Sequence, residues 1–167
     1  MPYEYKIKRR VEFSETDMAG IMHFSNYFKF MESAEHAFFR SLGSSVTSPA
    51  GHSNLGLPRV HAHCDYMAPL RFEDEVEVHL LVEKKSARSI TYQFHLRKIA
   101  PEPMLNVARG RLTVVCVEHH PDGSIKGVPL PKEVFDKIEV APAARLAEWS
   151  HIDPDKKKTN TPSIPIL

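Results

Sequence analysis

At 167 residues the chain suits one domain with a sizeable core, and 42% hydrophobic with 26% charged residues is the make-up of an ordinary soluble globular protein. A formal net charge of +1 leaves no global field to draw nucleic acid or an anionic membrane surface. No run of about 18 apolar residues points to a membrane span, and Met1–Arg10, with four basic residues and no apolar core, is not built as a secretory signal. The two cysteines, Cys64 and Cys116, sit in strand-like apolar runs, which favours buried free thiols in a reducing cytoplasm over a disulfide.

Tyr5 to Phe13 alternates, with Tyr5, Ile7, Val11 and Phe13 on one side and Lys6, Lys8, Arg10 and Glu12 on the other, as in a half-buried strand. A tight, glycine-containing turn follows, Phe13-Ser14-Glu15-Thr16-Asp17-Met18-Ala19-Gly20-Ile21-Met22-His23, with Asp17 at its heart and Glu15 reading as solvent-facing. Phe24, Tyr27, Phe28, Met31, Ala34, Phe38 and Leu42 then recur at spacings of three and four, which predicts an amphipathic helix over 24–42. Ser25 suits its N-cap and Gly43 its stop. Ser44 to Leu57, rich in Ser, Pro and Gly, reads as a loop of the length that covers something.

Pro58 to Met67 reads as a second strand that breaks at Ala68-Pro69. Glu75 to Glu83 is a third, with Val76, Val78, Leu80 and Val82 inward, and Lys84-Lys85-Ser86-Ala87 suits a hairpin connection. Ser89 to Arg97, with Ile90, Tyr92, Phe94 and Leu96 on one face, is a fourth, and Leu105 to Val117 a long fifth. His120-Pro121-Asp122-Gly123 is a turn, and Lys132 to Ile138 a short helix. The chain divides into a domain over 1–140 and an extension over 141–167, with a helical turn around Leu146 and Trp149 and then a polar tail carrying Lys156-Lys157-Lys158.

The order β-α-β-β-β-β-(α), with short links between the last four strands, predicts an α+β fold. A five-stranded antiparallel sheet would curl around one long central helix. Its second face and its edges call for a partner, so a homo-oligomer, at least a dimer, is expected.

The turn before the helix is also where chemistry could sit. A carboxylate there lies beside unpaired backbone N–H groups and the positive end of the helix dipole, which favour an ionised acid and could receive a developing oxyanion. On the residues alone, Asp17 and Gly20 read first as a simple turn. Tyr27 and Met31 would line a pocket beside it or simply pack the core. Lys84, Lys85 and Arg88 form a basic cluster at one strand-to-strand turn, suited to phosphate groups or to plain solvation. His61, His63 and Asp65 share a strand face, but a metal site needs about three or four ligands in a fixed array, and no metal-binding motif accompanies them; no metal is expected. No Gly-x-Ser-x-Gly nucleophile elbow is present.

Asp17-Met18-Ala19-Gly20-Ile21-Met22-His23-Phe24-Ser25-Asn26-Tyr27, set between a first strand and a long helix, resembles the hotdog-fold acyl-CoA thioesterases, in particular the 4-hydroxybenzoyl-CoA thioesterase-like branch. The resemblance runs from about Tyr5 to Ile138 and takes in Pro58 to Met67, Phe72-Glu73-Asp74-Glu75-Val76 and Pro129-Leu130-Pro131. It implies a catalytic carboxylate at Asp17 and an oxyanion donor in the backbone N–H of Phe24. It also implies coenzyme A contacts at Arg88 and Ser89; beside these, the basic cluster adds Lys84 and Lys85 for the coenzyme A phosphates, and Gly20, His23, Tyr27 and Met31 are the expected substrate contacts. A homotetramer with sites at subunit interfaces is implied as well, with coenzyme A entering only as part of an acyl-CoA substrate and no separate cofactor. Two positions depart from the pattern: the histidine that many relatives carry at Phe24 stands one residue earlier, at His23, and a helix position that is often arginine is Glu35. Both bear on the acyl group rather than on the chemistry. Asp17 would serve as general base or nucleophile. A hotdog dehydratase or hydratase, and a non-catalytic acyl-CoA or acyl-carrier-protein binding module, are the alternatives that a thiol-release assay separates.

Overall fold

The computed structural model describes residues 2–148; Trp149 and the polar tail with Lys156-Lys157-Lys158 lie outside the described residues. In chain order the elements are β1 (Glu4–Arg10), α1 (Asn26–Ser41), β2 (Leu55–Gly56), β3 (Arg59–Tyr66), β4 (Glu75–Lys85), β5 (Ser89–Ala100), β6 (Leu105–Val115), β7 (Val117–His119), β8 (Ile125–Gly127), α2 (Lys132–Phe135) and α3 (Ala143–Ala147). Five strands form one antiparallel sheet in the order β1-β4-β5-β6-β3, so the strands read from alternation are those of the main sheet. Val76, Val78, Leu80 and Val82 of β4 and Ile90, Tyr92, Phe94 and Leu96 of β5 are all fully buried, one face of a period-two pattern.

That face is covered by α1, 16 residues long, which packs against β1 and β4. Tyr27, Phe30, Met31, Ala34, Glu35, Phe38 and Phe39 are its buried stripe. The stripe is turned from the expected one. Phe24 precedes the first helical turn and is 62% exposed, Phe28 and Leu42 are half-buried, and Phe30 and Phe39 take the central places. Gly43, at φ +74°, ends the helix as expected: its N–H reaches Arg40 O at 3.0 Å and the Ser44 N–H reaches Phe39 O at 3.0 Å, a Schellman closure that needs the left-handed residue. Ser25 does not cap the other end with its side chain; its hydroxyl pairs with His23 Nδ1 at 2.8 Å.

Gly110 of β6 lies beside Phe94 in the ladder, at the point where Met31 comes down on the sheet. A Cβ there would collide with the Met31 sulfur and methyl and stand 3.3 Å from His63 O. Gly110→Ala is therefore expected to lower stability by about 1–3 kcal/mol through overpacking. Chemical denaturation should show a lower midpoint at an unchanged slope; an unchanged midpoint would mean that Met31 moves aside without cost.

Two expectations are corrected. The segment 44–57 is not all loop: it holds a 3-10 turn at Pro49–Gly51 and then β2, and β2-β7-β8 make a second, three-stranded sheet. The predicted strand 105–117 breaks at Cys116, whose N–H turns to Arg88 O at 2.7 Å and whose carbonyl accepts Val128 N–H at 3.0 Å, carrying the chain into that sheet. A two-residue strand such as β2 has no alternation to reveal it. The helical turn expected near Leu146 is α3, joined to the first strand by Arg145–Glu4 at 2.7 Å. Both cysteines are free, Cys116 buried and Cys64 partly so. Among the described residues no helix is long and apolar enough to cross a membrane.

Candidate active site

The chain leaves β1 through a 3-10 turn, Phe13–Glu15, that fixes everything after it. Glu15 does not face solvent as expected: its side chain is 12% exposed, accepting from Arg9 Nη2 at 3.2 Å and from the Glu12 N–H at 2.9 Å. Its backbone carbonyl receives the His23 N–H at 2.9 Å and Asn26 Nδ2 at 2.8 Å, which ties the turn to the start of α1. Met22 N–H reaches Leu70 O at 2.7 Å, anchoring the same loop to the segment before β4.

Between these anchors Asp17 heads a closed loop. Its N–H donates to Ile21 O at 3.0 Å, its carbonyl accepts the Gly20 N–H at 2.9 Å, and Oδ1 accepts the Ala19 N–H at 2.8 Å. Gly20 sits at φ +72°, the left-handed position such a turn requires. Asp17 is exposed, and among the described residues no group donates a hydrogen bond to its Oδ2. The backbone N–H of Phe24 donates to no group among the described residues, although the His23 N–H before it and the Asn26 and Tyr27 N–H groups after it all do. A carboxylate and a free amide at a helix start are what a general base and an oxyanion donor require.

Asp17, Phe24 and Tyr27 line one cleft of ≈ 480 Å³, together with Ile21, Met22, Tyr66, Met67, Ala68 and Pro69. Of the other expected substrate contacts, Gly20 shapes the loop without lining the cleft, and His23 stacks on Phe24 with ring centroids 4.4 Å apart. Met31 is fully buried under the sheet, away from the cleft. Sequence reasoning missed the wall from Tyr66 to Pro69. Its signal was the strand break at Ala68-Pro69, which the antiparallel ladder brings beside the helix start.

The basic cluster lies elsewhere. Lys84, Arg88 and Ser89 flank the β4–β5 hairpin, while the Asp17 loop is bonded to residues 70–74 at the opposite end of β4. At about 3.3 Å a step, that 11-residue strand is up to about 33 Å long. The Lys85 ammonium is committed to Ile138 O at 2.6 Å and Phe135 O at 3.0 Å. Ser89 Oγ pairs with Ser86 Oγ at 2.7 Å. A larger cleft, ≈ 570 Å³, opens on the opposite face of β3 between His61, His63, Asp65, Arg109 and Arg111. Its charges are paired, Arg109 and His63 to Asp65 at 3.1 and 2.9 Å and Arg111 to Glu83 at 2.6 Å. Among the described residues no three His, Cys, Asp or Glu groups meet as a metal array.

Residues 11–138 match the thioesterase-like superfamily. A 1,4-dihydroxy-2-naphthoyl-CoA hydrolase of Synechococcus sp. (strain CC9605) is 33% identical over 149 residues, 84% of this chain and 93% of that protein. The crystal structure of a hypothetical protein from Aquifex aeolicus superposes with a TM-score of 0.71 at 32% identity, covering 81% of this chain and 99% of the other. That of the 4-hydroxybenzoyl-CoA thioesterase from Pseudomonas sp. strain CBS-3 reaches 0.73 at 16% identity, over 81% and 99% of the two chains, a likeness of fold. The chain therefore belongs to the thioesterase-like superfamily and is an enzyme of the acyl-CoA thioesterase class.

Proposed function

We propose that this enzyme hydrolyses an aromatic acyl-CoA to the free acid and coenzyme A, with Asp17 as general base or nucleophile and the Phe24 N–H as oxyanion donor. The observation that carries this is the free Phe24 amide sharing one cleft with a loop-held carboxylate. A thioester needs little more, because its carbonyl is electrophilic and thiolate leaves readily. The aromatic acyl class is supported by Phe24, Tyr27 and Tyr66 in the cleft wall and by the aromatic acyl-CoA in the name of the Synechococcus relative. Thiol release measured across aromatic, short and long acyl-CoAs tests the reading. Turnover of aromatic substrates supports it, and binding without thiol release would favour a binding module.

The same proposal extends to assembly and place. On this reading the sheet curls around α1 as its central helix; among the described residues β3 is an edge strand whose eight residues are mostly exposed, an edge suited to a second copy. The enzyme is a dimer at least, and a tetramer by family likeness. Its two free thiols suit the reducing cytoplasm. Lys84 and Arg88 are too far along β4 to meet the coenzyme A of their own protomer's cleft, so they serve a neighbour's. Arg88→Ala should raise KM more than it lowers kcat, most clearly at low salt. Mixing Arg88→Ala with Asp17→Asn protomers should then restore low-KM turnover, since one cleft in each hybrid has both groups intact. No restoration on verified exchange of protomers would count against a shared site.

A further inference from the structure

We propose that Tyr66 is a positioning residue for the oxyanion donor, holding the Phe24 backbone through its phenolic hydroxyl. This rests on the thioesterase reading above and deepens it.

Tyr66 is the last residue of β3 and stands in the wall of the Asp17 cleft. Its hydroxyl donates to the Phe24 carbonyl at 3.1 Å, across 42 residues of sequence. Its ring meets Tyr27 edge to face, with centroids 5.0 Å apart and an interplanar angle of 84°, so its direction is set by packing as well as by the hydrogen bond. Burial pushes the Tyr66 phenol up to about 12, so at neutral pH it keeps the proton it donates.

The bond matters because Phe24 precedes the helix and the ladder does not hold it. Among backbone donors the Phe24 carbonyl receives only a long approach from Tyr27 N–H, at 3.4 Å. The peptide that carries the Phe24 N–H is pinned on its carbonyl side, where Asn26 N–H reaches His23 O at 3.0 Å. The next peptide is pinned by Tyr66. The two bonds bracket the Phe24 α-carbon and fix the direction of the free amide between them. An amide that swings by a fraction of an ångström still binds a substrate but meets a developing oxyanion less well. Tyr66 touches no reacting atom in this account; it acts through Phe24.

The test compares Tyr66→Phe with the unaltered enzyme on whichever acyl-CoA of an aromatic, short and long panel the latter turns over fastest. Two probes of the same acyl group accompany it: a thioether analogue, which reports ground-state binding, and a trifluoromethyl-ketone analogue, whose carbonyl adds water to become tetrahedral. Tyr66→Phe is expected to lower kcat about tenfold, to weaken the ketone by the same factor, and to leave KM, thioether affinity and melting temperature within about twofold or a degree or two. Replacement by 4-aminophenylalanine, which restores a donor at the same place, should recover the rate. An unchanged kcat would overturn the proposal, and so would equal weakening of thioether and ketone, since that marks a packing role in binding. If the unaltered enzyme released no thiol from any acyl-CoA, the thioesterase reading itself would fail, a result distinct from either.

Discussion

Asp17→Asn is expected to lower kcat on the best acyl-CoA by about 10²–10⁴-fold if the carboxylate is a general base, and by at least as much if it is the nucleophile. The substitution is unusually clean here. In the loop, Oδ1 accepts the Ala19 N–H, a role that the amide oxygen of asparagine can take over. The Asp17 N–H to Ile21 O and Gly20 N–H to Asp17 O bonds are backbone and untouched, so the loop and the melting temperature should persist. What disappears is the charge and basicity of a carboxylate that lines the cleft. Thioether-analogue affinity should change little, because nothing in the cleft wall moves. A single turnover in ¹⁸O-water with enzyme in excess bears on the two roles: label in the Asp17 carboxylate marks a nucleophile whose mixed anhydride water opens at the enzyme carbonyl, whereas a base sends all of it to the product acid. Near-unaltered turnover by Asp17→Asn would remove Asp17 from the chemistry and bring the hydratase and binding readings forward.

The sequence was most legible where a short-range rule decides the outcome. Period-two burial in β4 and β5 depends on alternation alone, and Val76 to Val82 and Ile90 to Leu96 lie as read. The left-handed stops at Gly20 and Gly43 follow from the absence of a Cβ. The Asp17 turn and the helix after it are adjacent in sequence, so half of the cleft could be found there. The other half comes from the end of β3, some 40 residues further on, and only the β3–β6 pairing brings Tyr66 to Phe24. The turned stripe on α1 has a similar origin. Phe24 fits a helical spacing by number, but the hydrogen bonds of the loop hold it outside the helix, and its exposure follows. Glu15 read as a surface acid because nothing local reveals Arg9, on the preceding strand, turning back to meet it.

Glu35 was legible only as a departure from family pattern, and it supports the largest expected effect on stability. It is fully buried on the apolar stripe of α1, and its cation, Arg59, arrives from the first position of β3. Arg59 also meets Glu32 at 3.2 Å. Burial pushes the Glu35 carboxyl up to about 7, against the opposing pull of Arg59 and with a further push from Glu32. The sign follows directly. A carboxyl that holds its proton more tightly folded than unfolded makes the folded state bind more protons between about 4.5 and 7, so its contribution to stability falls as pH rises through that window, on the order of 3 kcal/mol in all. Removing Arg59 removes the pull that lowers the value, so the folded carboxyl would hold its proton to still higher pH. Arg59→Met is therefore expected to cost about 3–5 kcal/mol at pH 8.5, where the buried carboxyl must take up a proton or stay charged without its partner, and about 2 kcal/mol less at pH 5, where Glu35 is already neutral. Urea denaturation at the two pH values reads the difference. His36, lowered by burial, titrates nearby with the opposite sign, so the comparison is repeated on a Glu35→Gln background. There Arg59→Met should cost about the same at both pH values, and a pH-dependent loss that persisted without Glu35 would assign the effect to another group.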